Sequence, residues 1–275
     1  MIKLIAIDTD GTLLNSQGEI QASTKEAISK ALDRGVKVVL CSGRPIAGLA
    51  PYMNELGIKG EDQYAVTLNG AISRKASGEI ITSDLIANSV YRQLTAYALS
   101  LKLPFNIVDF ESRIITPNHD IDPMVYQQAY ENQAALFVRS VEEFPEKGQA
   151  IAKACFVGSQ ELLNRVEDRV KEDWRQNFNV LRTDACFLEL LNPKVNKGQG
   201  LKELCGRLEI APEEVMAIGD ERNDLDMFAF AGTSVAMGNG NDLVKQAADY
   251  VTSSNDEDGI TQSLEKFVFL AGNFP

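Results

Sequence analysis

Short apolar runs alternate with amphipathic stretches in the first and last thirds of the chain. Ile2 and residues 4–7 form a run typical of a strand buried on both faces. Further runs of this kind occupy residues 36–41, 64–68, 213–218, 233–237 and 250–252. Residues 23–34 carry apolar positions at helical spacing and end at Gly35, and Pro45 stands near the start of another helix. This alternation predicts an α/β fold built on a doubly wound parallel sheet with right-handed crossovers.

The middle of the chain has a different pattern. Its strand candidates, residues 105–109, 114–116, 154–157 and 187–191, are amphipathic or irregular, and they alternate with long helical stretches at 89–101 and 160–177. Such a mixture is typical of an α+β domain with an antiparallel sheet. We therefore predict a core domain from residues 1–83 and 192–275, interrupted by an inserted α+β cap domain at 84–191.

Composition and charge narrow the class of protein. There are 27 basic and 39 acidic residues, for a net charge of −12, and the basic residues form no patch, which argues against nucleic acid or an anionic membrane as partner. The chain has no apolar stretch near the roughly 20 residues of a membrane span, and its N-terminus has no cationic region before an apolar one. We expect a cytoplasmic protein.

Two scarce residue types limit the chemistry. The four cysteines are scattered without the CxxC spacing of a zinc or redox site, and we expect them to be reduced, buried thiols. The single histidine, His119, rules out a multi-histidine metal cluster. Carboxylates must therefore carry the acid and base chemistry.

Four of the apolar runs end in polar residues of complementary types. These ends are Asp8 with Asp10, Ser42 with Gly43, Asn69 with Gly70, and Asp220 with Asn223 and Asp224. The carboxyl ends of parallel strands share one edge of a sheet, so these residues should converge on one crevice, where Lys197 is the basic residue placed to join them. Carboxylates gathered in one pocket repel each other unless a cation lies among them, and an all-oxygen set suits Mg²⁺.

Each of these residues also has a purely structural interpretation. Asp8 with Asp10 could form a strand-end turn, Ser42 with Gly43 a helix-capping turn, Asp220 with Asp224 a helix cap, and Lys197 a solvated surface lysine. The joint occurrence of all four polar ends favours a functional site.

The same residues resemble a known sequence pattern. DTDGT at 8–12, SGR at 42–44, NKG at 196–198 and GDERND at 219–224 follow the order and spacing of the haloacid dehalogenase superfamily phosphatases. The insertion, together with LNGA at 68–71, resembles the Cof-type subfamily and its bacterial sugar-phosphate phosphatases. Thr9 stands where these proteins more often have an apolar residue.

The resemblance implies a mechanism and a cofactor. It implies that Asp8 attacks phosphorus and forms an aspartyl-phosphate, and that Asp10 protonates the leaving group and then activates water. Mg²⁺ would be held by the Asp8 carboxylate, the Asp10 carbonyl oxygen and Asp220, with Asp224 supporting these ligands.

The resemblance also implies which groups bind the phosphoryl oxygens and the substrate. The phosphate-binding set comprises Lys197, the Ser42 hydroxyl, the backbone amides of Thr9 and Gly43, and the Asn223 side chain. Arg44, Asn69 and Gly70 are candidates for substrate contact, and scaffolding of their loops is an equal alternative for Arg44 and Asn69. His119 and Glu189 could touch a sugar, but we favour a structural role for both.

The predicted function is Mg²⁺-dependent hydrolysis of small phosphate monoesters, above all sugar phosphates. The partner would be a small phosphorylated metabolite, and the chain a monomer or weak homodimer. A phosphosugar mutase with the same nucleophile, or a non-catalytic sensor of phosphorylated metabolites, remains an alternative. Haloacid dehalogenation does not need the acid at position 10, and P-type ion pumping needs membrane spans.

Overall fold

The computed structural model describes residues 1–145, 147 and 149–270, which divide into two compact units. The core unit comprises Met1–Ser42, Ala50–Thr82 and the chain from Asn196 onward, and the inserted unit comprises Gly43–Leu49 and Ser83–Val195. The predicted boundaries place residues 43–49, 83 and 192–195 in the core domain, whereas the structure groups them with the inserted unit.

Strands and α-helices alternate along much of the described chain. The strands are β1 Leu4–Ile7, β2 Lys37–Cys41, β3 Tyr64–Thr67, β4 Ile72–Lys75, β5 Ile80–Ser83, β6 Phe105–Asp109, β7 Ile114–Thr116, β8 Leu136–Val138, β9 Ile151–Val157, β10 Asn179–Asp184, β11 Phe187–Leu191, β12 Val215–Gly219, β13 Thr233–Ala236 and β14 Tyr250–Val251. The α-helices are α1 Ala22–Asp33, α2 Ile46–Glu55, α3 Ser89–Leu101, α4 Pro123–Glu131, α5 Gln160–Trp174, α6 Lys197–Leu208, α7 Leu225–Phe230, α8 Asp242–Ala247 and α9 Gly259–Leu264.

The sheet of the core unit has the order β14-β13-β12-β1-β2-β3-β4-β5. From β14 to β3 every neighbouring pair is parallel, and β4 pairs antiparallel with β3. Successive strands run outward from β1 in one direction through β2 and β3, and β12 lies on its other side. Strand order therefore reverses between β1 and β12, which is where open α/β sheets bind ligands.

The central strand β1 is buried on both faces. Leu4 and Ala6 join an apolar cluster that includes Leu201 and Leu204 of α6, and Ile5 and Ile7 are equally inaccessible. Because alternate residues of a strand point to opposite faces, both faces of β1 must be covered. This burial explains the uninterrupted apolar run in the sequence.

The inserted unit contains a six-stranded sheet of order β10-β11-β9-β6-β7-β8. Its pairs are antiparallel except β7 with β8. Aromatic side chains fill its core: the ring centroids of Tyr91 and Phe144 lie 4.3 Å apart, and those of Phe105 and Phe156 lie 5.6 Å apart. The predicted fold class, a parallel α/β sheet with an inserted α+β part, is confirmed.

Two further expectations concern cysteines and membranes. All four cysteines are free; Cys41, Cys155 and Cys205 are buried and Cys186 is partly exposed. Among the described residues there is no helix of sufficient length and apolar character to cross a bilayer.

Candidate active site

Asp8 and Asp220 come together because they follow adjacent parallel strands. Ile7 of β1 is in register with Ile218 of β12, and the amide of Asp8 donates to the Ile218 carbonyl oxygen at 3.0 Å. A tight turn over Thr9–Leu13 begins directly after Asp8. Asp8 is buried, whereas Asp10, inside that turn, is exposed.

The turn after β1 lies against the Asp220 carboxylate. Gly11 has a φ of +79°, and a Cβ at this position would lie 2.4 Å from Oδ2 of Asp220. Two residues of the same turn therefore fix this carboxylate: Gly11 leaves room for it, and Thr12 donates from Oγ1 to its Oδ1 at 2.7 Å. Any larger residue at position 11 would displace Asp220.

Asp224 is fully buried and organises the loop after β12. Its Oδ2 accepts the backbone amides of Asp220 and Glu221, both at 2.9 Å, and its Oδ1 accepts from the Lys197 ammonium at 2.6 Å. With three donors already bound, this carboxylate holds its neighbours in place. The geometry is what a supporting role beside metal ligands requires.

Lys197 reaches the cluster because the first turn of α6 packs unusually closely. The Asn196 side chain caps the helix by accepting from the Gln199 amide at 2.7 Å. A Cβ on Gly198 would lie 2.2 Å from the Asp226 carbonyl oxygen, and one on Gly200 would lie 2.7 Å from Cα of Gly70. The buried Lys197 ammonium then donates to Oδ1 of Asp8 at 2.5 Å.

Burial and mutual repulsion shift the pKa values of this cluster. Desolvation, opposed by Lys197 and reinforced by Asp224 and Asp220, raises the pKa of Asp8 well above its usual value. Desolvation likewise raises the pKa of Asp220 to about 6, despite the hydrogen bond from Thr12. Burial works against the Lys197 ammonium, yet Asp224 and Asp8 outweigh it and raise its pKa. When its three carboxylates are ionised, the cluster carries more negative charge than the Lys197 ammonium neutralises.

A divalent cation bound among the carboxylates would offset this excess of negative charge. Asp8, Asp220 and Asp224 each offer a carboxylate oxygen within 4.8 Å of the others, and all three residues are buried. Hard oxygen donors of this kind suit Mg²⁺. Because both oxygens of Asp224 already accept hydrogen bonds, Asp8 and Asp220 are the side chains whose oxygens remain available as ligands.

The predicted residues after β3 surround the same loops. Asn69 is buried with a φ of 56°, and its Oδ1 accepts from Nδ2 of Asn223 at 3.1 Å. Gly70 packs against the start of α6, since a Cβ there would lie 2.1 Å from the Asn196 carbonyl oxygen. Both residues thus link the turn after β3 to the elements that carry Lys197 and Asn223.

Ser42 and Thr9 are buried at the ends of their strands. The Ser42 amide donates to the Val66 carbonyl oxygen, and its own carbonyl oxygen accepts from the Asn69 amide, both at 2.9 Å. The Thr9 hydroxyl has no hydrogen-bond partner within the described chain. Its side chain is buried.

Gly43 and Arg44 lie in the short segment that groups with the inserted unit. The Gly43 carbonyl oxygen accepts from the Lys153 ammonium at 3.2 Å, and Arg44 donates to the Glu131 carbonyl oxygen at 3.1 Å. Arg44 thus has a scaffolding contact, one of the two alternatives considered for it.

Sequence reasoning assigned no role to Thr12, although its hydroxyl contacts Asp220. The signal was present, because Thr12 closes the DTDGT motif. Spacing along the chain did not reveal which carboxylate this hydroxyl would meet.

Comparison with known proteins decides the family. Residues 5–264 match the haloacid dehalogenase-like hydrolase family. The chain belongs to this family. Its relatives include the putative phosphatase YxeH of Bacillus subtilis, which is 37% identical over 271 residues that cover 98% of this chain and 99% of YxeH. The resemblance seen in the motifs is confirmed.

Solved structures of the family share the fold of this hydrolase. A haloacid dehalogenase-like hydrolase from Bacteroides thetaiotaomicron superimposes with a TM-score of 0.85 at 35% identity, covering 97% of this chain and 99% of its own. The subclass IIB sugar phosphatase BT4131 superimposes with a TM-score of 0.79 at 28% identity, covering 96% and 98%.

Proposed function

We propose that this hydrolase is a Mg²⁺-dependent phosphatase of small phosphate monoesters, with sugar phosphates as its preferred substrates. The observation that carries the proposal is the buried carboxylate of Asp8, held by Lys197 at the switch point of the sheet among further carboxylates. Two similar proteins support it: YxeH is named a putative phosphatase, and BT4131 is described as a sugar phosphatase.

In this mechanism Asp8 is the nucleophile. One carboxylate oxygen is bound by Lys197, which leaves the other free to attack phosphorus. The new bond from this oxygen to phosphorus forms as the bond to the leaving alkoxide breaks, and Asp10 gives the alkoxide its proton. Asp10 then takes a proton from the water that attacks the aspartyl-phosphate, which releases phosphate and restores Asp8.

Several donors would bind the phosphoryl oxygens as negative charge spreads over them. We assign this role to Lys197, the Ser42 hydroxyl, the Thr9 and Gly43 amides and the Asn223 side chain. The hydrogen bond between Asn223 and Asn69 supports this assignment, because it fixes the Asn223 amide before substrate binds.

Asp8, the Asp10 carbonyl oxygen and Asp220 would hold the Mg²⁺ ion. When bound, the ion would neutralise charge on the carboxylates and the transferring phosphoryl group. Asp224 and Thr12 would act on these ligands indirectly, by fixing the backbone and the side chain of Asp220.

The remaining parts of the proposal concern the whole chain. We propose that the inserted domain selects the leaving group and excludes water, that the substrate is a free phosphorylated metabolite, and that the protein acts in the cytoplasm as a monomer or weak homodimer.

The direct test is phosphate release from hexose, pentose, triose, nucleotide and pyridoxal phosphates, with Mg²⁺ and with chelator. We expect turnover of sugar phosphates that requires the metal. No turnover of any ester would contradict the proposal. Isomerised product without free phosphate would indicate a mutase, and tight binding without hydrolysis a sensor.

A further inference from the structure

The inserted unit buries an ion pair that the proposed chemistry does not use. Lys153 of β9 and Glu189 of β11 form a salt bridge, and their side chains are only 6% and 5% exposed. Buried ion pairs often give no more stability than apolar residues of similar size, because both charges lose their hydration. Stability alone therefore does not account for this pair.

The pair has a third partner in the segment 43–49. The Lys153 ammonium, which Glu189 holds in place, donates to the Gly43 carbonyl oxygen at 3.2 Å. Glycine lacks a Cβ and ranges widely in φ and ψ, so external contacts must fix its backbone. A hydrogen bond to the Gly43 carbonyl oxygen anchors the peptide that follows Gly43. Because the preceding peptide, which carries the Gly43 amide, is joined to it through φ and ψ of Gly43, anchoring one peptide limits how far the other can turn.

Other contacts attach the same segment to the inserted unit. Arg44 donates to the Glu131 carbonyl oxygen at 3.1 Å, and the Ala47 amide contacts Oγ of Ser112 at 3.4 Å. Gly48 lies so close to Asn132 that a Cβ would be 2.7 Å from its Oδ1. Of these contacts, the one from Lys153 is closest along the chain to Ser42, because it is made to Gly43, the next residue.

We propose that Lys153 and Glu189 are positioning residues that fix the Gly43 backbone for phosphate binding. The inference rests on the proposed function, because Gly43 matters to catalysis only if its amide meets the phosphoryl group. In this proposal the buried Lys153 ammonium of the inserted unit orders the loop that follows β2. Glu189 acts through Lys153 by holding the ammonium in place.

The test removes both charges together, so that neither is left buried without a partner. The double variant Lys153→Met/Glu189→Met should unfold within a few degrees of the unmodified protein. Amide hydrogen exchange over residues 43–49 should become at least several-fold faster. Because small displacements of a binding group can reduce rates about 10²-fold, kcat should fall by about 10- to 100-fold with a smaller change in KM.

Two further proteins serve as comparisons. Arg165→Met/Glu161→Met removes an ion pair from α5 of the same unit without touching residues 43–49, and it should leave exchange there unchanged. Lys153→Arg keeps the charge and the donors, and it should recover much of the activity. If the double methionine variant does not fold, Glu189→Gln, which frees the ammonium to move, should also speed exchange over 43–49.

The outcomes separate this inference from the proposed function. Unchanged exchange over 43–49 in a folded variant, or an equal effect in the α5 control, would overturn the inference even if the unmodified protein hydrolyses phosphate esters. No turnover by the unmodified protein would instead contradict the proposed function, and exchange would still show whether Lys153 orders the segment.

Discussion

At the scale of single residues, the carboxylates of the acidic cluster differ in how many hydrogen bonds they accept. Asp224 uses both oxygens to hold Lys197 and two backbone amides. Asp8 accepts from Lys197 through one carboxylate oxygen, and Asp220 accepts from Thr12 in the same way, so each retains an oxygen for a ligand. Reactivity at Asp8 thus depends in part on Asp224, which holds Lys197 but need not touch the substrate.

The first prediction concerns the nucleophile. Asp8→Asn should abolish phosphate release, with kcat lower by at least about 10⁴-fold, because an amide oxygen is a poor nucleophile. The melting temperature should be unchanged or higher, since the substitution removes one of several repelling carboxylates. Asp33→Asn, at the exposed end of α1, is the matched control and should retain full activity. Hydrolysis by the Asp8 variant at a rate near that of the control would show that another residue attacks phosphorus.

The second prediction separates backbone strain from crowding. Gly11 and Gly18 both have a left-handed φ, +79° and +75°, so alanine at either should cost about 1–2 kcal/mol of folding free energy. Only the Cβ at position 11 would meet Asp220, since position 18 has open space around it. Gly11→Ala should therefore lose both activity and Mg²⁺ affinity, and Gly18→Ala neither. Denaturant unfolding and kinetics on both variants check this, and equal losses of activity would refute the role of the close approach.

At this scale, the sequence predicted which residues lie together better than how they bond. The strand ends identified Asp8, Asp220 and Lys197 as neighbours, because parallel strands place their ends at one edge. Thr12 and the amide contacts of Asp224 were not predicted, because spacing defines the reach of a side chain and not its partner. Asp10, predicted to converge with Asp8 on one crevice, lies in the turn Thr9–Leu13 and is exposed.

At the scale of elements, the position of α6 determines where Lys197 lies. Gly200 contacts the turn after β3, and a Cβ there would lie 2.7 Å from Cα of Gly70 and 3.0 Å from the Val66 side chain. The helix can approach this turn because neither Gly200 nor Gly70 has a side chain. The position of the ammonium is thus a consequence of how closely a whole helix packs.

The third prediction tests this packing with two alanines on one helix. Gly200→Ala should destabilise the protein by about 1–3 kcal/mol through overpacking and should lower kcat by shifting Lys197. Gly206→Ala lies on the exposed side of α6 with nothing near its Cβ, and it should stabilise the protein by about 0.5–1 kcal/mol with unchanged kcat. Chemical denaturation and steady-state kinetics measure both. If Gly200→Ala behaved like Gly206→Ala, the close packing of α6 would have no part in placing Lys197.

The elements themselves were largely predictable from the sequence. The predicted helix at 89–101 and the strands at 105–109, 114–116 and 187–191 match the structure to the residue. The predicted strand at 213–218 starts later, at Val215, because Pro212–Glu214 form a turn. The grouping of residues 43–49 with the inserted unit depends on contacts such as Lys153 with Gly43, which no local pattern encodes.

At the scale of the whole molecule, the unpaired charge of the cluster links stability to the metal. A ligand that binds only the folded state adds about 2.7 kcal/mol of stability at 100 times its Kd. Mg²⁺ should therefore raise the melting temperature by several degrees beyond the effect of NaCl at equal ionic strength. Asp220→Asn, which loses a ligand, should show little of this shift, and Asp33→Asn all of it. A shift of equal size in the Asp220 variant would place the metal elsewhere.

The central claim is that phosphate passes through a covalent bond to Asp8. The measurement that tests it most directly is rapid acid quenching during turnover of a reactive sugar phosphate with Mg²⁺, followed by peptide mapping by mass spectrometry. The account predicts a phosphoryl group on Asp8 that appears within the first turnover and is absent from Asp8→Asn. Turnover with no phosphoryl group on the protein, or with one on a residue other than Asp8, would contradict it.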